Sequence, residues 1–137
     1  MPGERNLAAL LKNMKPEMHE DIFVFCSIPE DKEIPAALRP VHIFREREGT
    51  AFVIRREEAQ TANLSYQFAS RLITLTVHSS LEAVGFLAAI TGRLAEAGIS
   101  VNAVSAFYHD HLFVPEHRAD AALRHLQDMA KHAVGTV

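Results

Sequence analysis

Apolar residues in the second half of the chain switch between a period of two and a period near 3.6. In LITLTVH (Leu72 to His78) they alternate, with Ile73, Leu75 and Val77 on one face and Thr74, Thr76 and His78 on the other, which predicts a half-buried strand. From Leu81 to Ala97 the spacing becomes helical. Ala83, Leu87, Ile90 and Leu94 form an apolar stripe, while Glu82, Arg93 and Glu96 gather on a wet face, and Gly98 ends the helix. ISVNAVSAFY (Ile99 to Tyr108) reads as a strand, His109-Asp110 as a turn, and HLFVP as a returning strand that stops at Pro115. RADAALRHLQDMAKH then places Ala119, Ala122, Leu123, Leu126, Met129 and Ala130 on one helical face.

The first half follows a cruder version of the same plan. Asn6 is placed to cap a short helix carrying Leu7, Leu10, Leu11 and Met14, which Pro16 stops. Asp21 to Ile28 is dense in branched and aromatic residues on both sides of the alternation, as a strand covered on two faces would be. Pro29 to Pro40 contains three prolines and holds at most one helical turn, so it serves as a crossover. From Val41 the pattern predicts a strand, a turn at Glu48-Gly49, a second strand through Ile54 and a short helix. Glu57 and Glu58 open that helix and Asn63 closes it.

FREREGTAFVIRREEA (Phe44 to Ala59) and FYHDHLFVPEHRA (Phe107 to Ala119) share an order: aromatic strand end, polar turn, strand closing on Phe-Val, charged helix start. The chain is therefore read as α+β, two tandem ferredoxin-like βαββαβ units with antiparallel sheets and helices on one face. Residues 1–69 form the first unit, with a reduced crossover, and residues 70–137 the second. Neither half shows a clear strand after its last helix, which points to a fourth strand shared or exchanged between them.

Composition narrows the function classes. The net charge of -3 arises from interspersed acids and bases with no basic stripe, so a nucleic-acid partner is not expected. No apolar stretch has the length of about 18 residues needed to span a bilayer, and the N-terminus lacks the basic start and apolar core of a signal peptide. No membrane partner and a cytoplasmic location are expected. Cys26 is the only cysteine and lies in an apolar run, so it reads as a small buried hydrophobe. No cofactor and no bound metal are expected, although His109 and His111, two apart, have a spacing that would let both side chains point the same way on a strand.

Three candidate chemistries remain. His109-Asp110-His111, with His78 nearby, has the residue types for a metal- or histidine-dependent enzyme, yet the residues flank a turn and no helix carries an i, i+4 histidine pair. Ser79 or Ser80 with His78 and Asp110 matches a hydrolytic triad in type but lacks a nucleophile elbow. The stronger feature is Ser79-Ser80-Leu81-Glu82 at the predicted helix start. Amides and hydroxyls there suit a carboxylate, and Gly85 allows a close approach. Asn102, one position into the following strand, could read an amino or carboxylate group. Gly85, Ala88, Gly92 and Ala95 leave one helix flank nearly bare, so a neighbouring helix or a second subunit is expected to pack against it.

These residues resemble the ACT domain, the small ferredoxin-like module that senses amino acids. In that family a loop ending in Pro-Gly-x-Leu enters the first helix, and a Gly-Ile-x-Ile/Val-Asn stretch opens the second strand. Val84-Gly85-Phe86-Leu87 and Gly98-Ile99-Ser100-Val101-Asn102 occupy those places here, with Val84 replacing the usual proline. FREREG, LTVHSSLEAVGFLAAI and YHDHLFVP are similar to short bacterial proteins built of tandem ACT units. The resemblance implies a non-enzymatic regulatory homodimer that binds an amino acid or similar metabolite between ACT units. The implied ligand-binding residues are Ser79, Ser80, Leu81, Glu82, Val84, Gly85, Phe86, Val101, Asn102, His109 and Asp110. An interaction module without a ligand is the remaining alternative.

Overall fold

The computed structural model describes Gly3 and residues 5–133. Helix α1 (Leu7–Asn13) begins where the Asn6 side chain accepts from the Ala9 amide at 2.9 Å, as a capping asparagine should. It is followed by β1 (Pro16–Ile28), β2 (His42–Glu46), β3 (Gly49–Arg55), α2 (Arg56–Thr61) and β4 (Gln67–Leu75). Helix α3 (Phe86–Glu96), β5 (Asn102–Ser105), β6 (Asp110–Pro115) and α4 (Ala119–Lys131) follow, and a 3-10 turn at Glu116–Arg118 precedes α4.

Two compact units result. One, here the continuous unit, is Glu20–Ser70; the other, the split unit, joins Met1–His19 to Arg71–Val137. In the continuous unit the strands are ordered β2-β3-β1-β4, with β1 and β3 antiparallel in the register Val24↔Ile54 and Cys26↔Phe52. Those four apolar side chains face Ala59 of α2 and form the buried core, with Ile34 and Leu38 of the crossover packed against it. Asn63 takes a left-handed φ of 56° just past α2, which is the helix end its sequence position predicts.

In the split unit the order is β1-β4-β6-β5. Ile73, Leu75, Leu112 and Val114 face the helices and pack with Ile90 and Leu94 of α3, Leu126 of α4, and Leu10 and Met14 from the α1 region. Both units thus have the order fourth, first, third, second of a ferredoxin-like sheet.

The long strands resolve the missing fourth strand. Strand β1 starts five residues before the predicted Asp21, and β4 starts at Gln67, inside SYQFAS, which carries no strand signal of its own. The first residues of β1 supply the fourth strand of the split unit, and those of β4 supply the fourth strand of the continuous unit. The division expected at 69/70 lies within β4, and α1 buries Leu10 in the core of the split unit.

Two other boundaries differ from the sequence reading. Helix α3 begins at Phe86 rather than Leu81, because Gly85 sits at φ 89° and a left-handed residue cannot propagate a right-handed helix. Strand β5 covers only Asn102–Ser105, and Asp110 is the first residue of β6 rather than part of the turn, paired with Ser105.

Candidate functional site

The site forms where β4 hands over to α3. Residues between Thr76 and Gly85 make no helix. The Ala83 amide donates to the Ser80 carbonyl at 3.0 Å and the Glu82 amide to Ser80 Oγ at 3.1 Å, so this stretch is a turn closed by its own serine. It arches over a cavity of about 60 Å³ lined by Ser79, Ser80, Leu81, Ala83, Phe86, Leu87, Ser105, Ala106 and Asp110.

Asp110 is the centre of this cavity. Only 6% of it is exposed, and each carboxylate oxygen accepts one hydroxyl: Ser105 donates to Oδ1 at 2.6 Å and Ser79 to Oδ2 at 3.1 Å. The β5–β6 register fixes the first bond by placing Ser105 opposite Asp110. Strand alternation fixes the direction, since Asp110 shares a face with the core residues Leu112 and Val114. Ser79 is nearly buried as well, at 9%.

Gly3 lies against the backbone of this loop. A Cβ on Gly3 would lie 2.6 Å from the Ser79 carbonyl carbon and 2.7 Å from both the His78 oxygen and the Ser80 nitrogen, so only glycine fits there. Leu7 reaches to 3.7 Å from the place a Cβ on Gly85 would take.

Of the predicted site residues, Ser79, Ser80, Leu81, Phe86 and Asp110 meet at the cavity. Glu82 and Val84 face solvent, with Val84 83% exposed. Gly85 serves as the left-handed entry to α3. Val101 and Asn102 lie at the start of β5, where Asn102 is exposed and pairs in register with Phe113, away from the cavity. His109 turns its Nδ1 toward the Val77 carbonyl at 3.4 Å. Sequence reading missed Ser105 and Ala106. The hairpin register could have found Ser105, had Asp110 been assigned to the strand.

The helix-start arrangement expected for Ser79 and Ser80 does not occur. Neither caps α3, whose first turn begins after Gly85 without a side-chain cap. Their hydroxyls are used within the loop and on Asp110 instead.

Geometry also separates the histidine and triad candidates. His109 and His111 lie on the face opposite Asp110, with ring centroids 6.5 Å apart, while His78 packs its ring 5.5 Å from Tyr108. Thr74 Oγ1 bridges His111 Nδ1 and His19 Nε2, 2.9 Å from each. Burial pushes the His111 imidazole below the usual histidine pKa, helped by the neighbouring His109 and His19 and opposed by Asp110. Among the described residues no group of three His, Cys, Asp or Glu side chains is arranged to hold a metal ion. Ser79 bonds directly to Asp110 with no histidine between them, so the serine–histidine–carboxylate relay of a hydrolytic triad is not formed.

Models of the ACT domain match residues 2–71 and residues 67–128. A Vibrio cholerae protein of unknown function, described as a possible transport protein, has a solved structure 44% identical in sequence. The alignment covers 90% of this chain and 95% of that one, with a TM-score of 0.82. A solved Agobacterium tumefaciens protein is 17% identical over 85% of this chain and 89% of its own, with a TM-score of 0.74. The regulatory subunit of aspartate kinase from Thermus flavus is 14% identical over 83% of this chain and 95% of its own, with a TM-score of 0.63. The last two share the fold. No curated protein matches the chain by sequence. With two family models in tandem across nearly its whole length, the chain belongs to the ACT domain family.

Proposed function

We propose that this chain is a non-enzymatic, cytoplasmic regulatory module, a homodimer that binds an amino acid or similar small metabolite between ACT units. The observation that carries the reading is a buried carboxylate, Asp110, walled by Leu81, Phe86 and Leu87 beneath the loop that enters α3. A buried charge of this kind is costly unless it is matched, and a ligand is one way to match it. Val101 and Asn102 belong to the site through a facing copy, which fits their distance from the cavity of their own unit and the exposure of Asn102 on the edge strand β5. The sequence halves 1–69 and 70–137 serve as the two evolutionary units of the tandem, and the loop of the second half is the one that binds. Membership of a family of regulatory domains supports a role without catalysis.

The test is thermal unfolding of the metal-stripped protein against each of the twenty amino acids. A ligand present at a hundred times its Kd adds about 2.7 kcal/mol of stability. A rise in midpoint with one amino acid, lost in Gly85→Val, supports the sensor. A rise only with a divalent metal would favour the histidine face and an enzyme. No rise with any compound would leave a protein-interaction module.

A further inference from the structure

We infer that Asp110 is the receptor for the α-ammonium group of the effector, held ready for it by Ser79 and Ser105. The inference deepens the sensor reading and rests on it. Charge comes first. Among the described residues the hydrogen-bond partners of Asp110 are two neutral hydroxyls, which orient the carboxylate without neutralising it. Each carboxylate oxygen has a second lone pair, and both serine oxygens can still accept, so the cavity offers acceptors to a group rich in donors. A primary ammonium brings three donors and one positive charge. A phosphate or a lone carboxylate would instead meet a buried charge of its own sign.

Size selects further. At about 60 Å³ the cavity is several times smaller than the roughly 300 Å³ at which sites for whole small molecules begin, so a head group enters and the remainder stays outside. A metal is a poor alternative, because hard cations ask for about six oxygen ligands and no suitable three-residue group exists among the described residues. The other wall supplies the opposite polarity. Phe86 and Leu87 belong to the first turn of α3, whose first backbone bond is from the Ala89 amide to the Gly85 carbonyl at 2.9 Å, so the earlier amides of that turn have no helical acceptor. A buried carboxylate facing a helix start is complementary to a zwitterion, with ammonium toward Asp110 and carboxylate toward α3.

The experiment uses the full chain. Unfolding midpoints are measured with each of the twenty amino acids and, for every one that stabilises, with its N-acetyl derivative and its 2-hydroxy acid. The expected result is a shift with the free amine and none with either analogue, and a loss of affinity of about a hundredfold or more in Asp110→Asn. Equal shifts with the analogues would overturn the ammonium assignment while leaving a sensor. No shift with any amino acid would overturn both. Should Asp110→Asn fail to fold, Ser105→Ala decides: about tenfold weaker binding supports the assignment, and unchanged binding overturns it.

Discussion

The two units share a strand order but differ in what crosses between their first two strands. In the continuous unit the crossover is Pro29 to Pro40, where three prolines permit only turns, such as the bond from the Leu38 amide to the Pro35 carbonyl at 3.1 Å. Ile34 and Leu38 plug the core in place of a helix. In the split unit the crossover is an eleven-residue helix preceded by an arched loop. The open space in each unit differs accordingly. Beside the proline crossover lies a groove of about 600 Å³ lined by the exposed charged side chains of Glu30, Lys32, Glu33, Arg45 and Glu46 together with Ile34, Ile43 and Thr50. Under the split unit's loop lies a space ten times smaller that holds a buried carboxylate. The lesson is that volume does not make a binding site. A buried charge between hydroxyls is costly to leave unmatched, whereas charges lining an open groove can be solvated.

The largest expected effect tests whether α1 belongs to the split unit. Leu10 is fully buried with Ile73, Leu75 and Leu126. Leu10→Ala is expected to destabilise the protein by about 2–5 kcal/mol in urea titration. Hydrogen exchange should then speed up in β6 and α4 and leave α2 and β3 protected. Loosening centred on α2 and β3 would place the helix with the continuous unit and break the comparison.

This helix also marks what the sequence could and could not reveal. Its cap, its length and its apolar stripe were legible, because Asn6 and Leu7, Leu10, Leu11 and Met14 are local signals. Its destination was not, since nothing in a 3.6 period says which sheet receives it. The same limit hid the long strands: Pro16 reads as a stop for α1, yet it opens β1, and Phe68 enters β4 at φ 58°, which breaks the alternation a strand would show. At the site, residue types near the glycine loop were legible, including Ser79, Phe86 and Asp110. The start of the helix was misread because Ala83 and Leu87 continue a helical spacing backwards through a turn. Ser105 escaped because its role depends on hairpin register rather than on any local pattern.

Next in size is the loop itself. Gly85 holds φ 89°, and a Cβ there has room beside Leu7, so Gly85→Ala isolates the backbone cost from any clash. It is expected to cost about 1–2 kcal/mol. An unchanged urea midpoint would mean that the loop can re-form with α3 extended back toward Leu81, as the sequence spacing suggests.

Gly92 makes a contrast within the same helix. Among the described residues nothing lies within 4 Å of a Cβ built on it, so they do not make the close packing that its small neighbours predict at this position. Gly92→Ala in the isolated chain should stabilise by about 1 kcal/mol through helix propensity alone. If this flank of α3 meets a second copy, Gly92→Leu will change the oligomeric state in analytical ultracentrifugation. A monomer–dimer balance unaffected by leucine would assign the bare flank to solvent.

The smallest effect concerns the face of the split unit opposite the helices. Thr74 links His111 to His19 there, and burial with two neighbouring imidazoles holds the His111 pKa below that of the unfolded chain, against the pull of Asp110. Below the ordinary histidine value of about 6.5 the unfolded state therefore binds more protons at this position than the folded state. The stability it contributes is present above that pH and is lost as pH falls through the depressed folded value. The urea midpoint should drop between pH 7.5 and 5.5, and His111→Gln should flatten the drop. The continuous unit carries a single histidine, His42, without such a pair. Amide resonances should therefore shift with acid in β4 and β6 and hold steady in α2, which carries no histidine, and an equal response in α2 would mean that the titration comes from elsewhere in the chain.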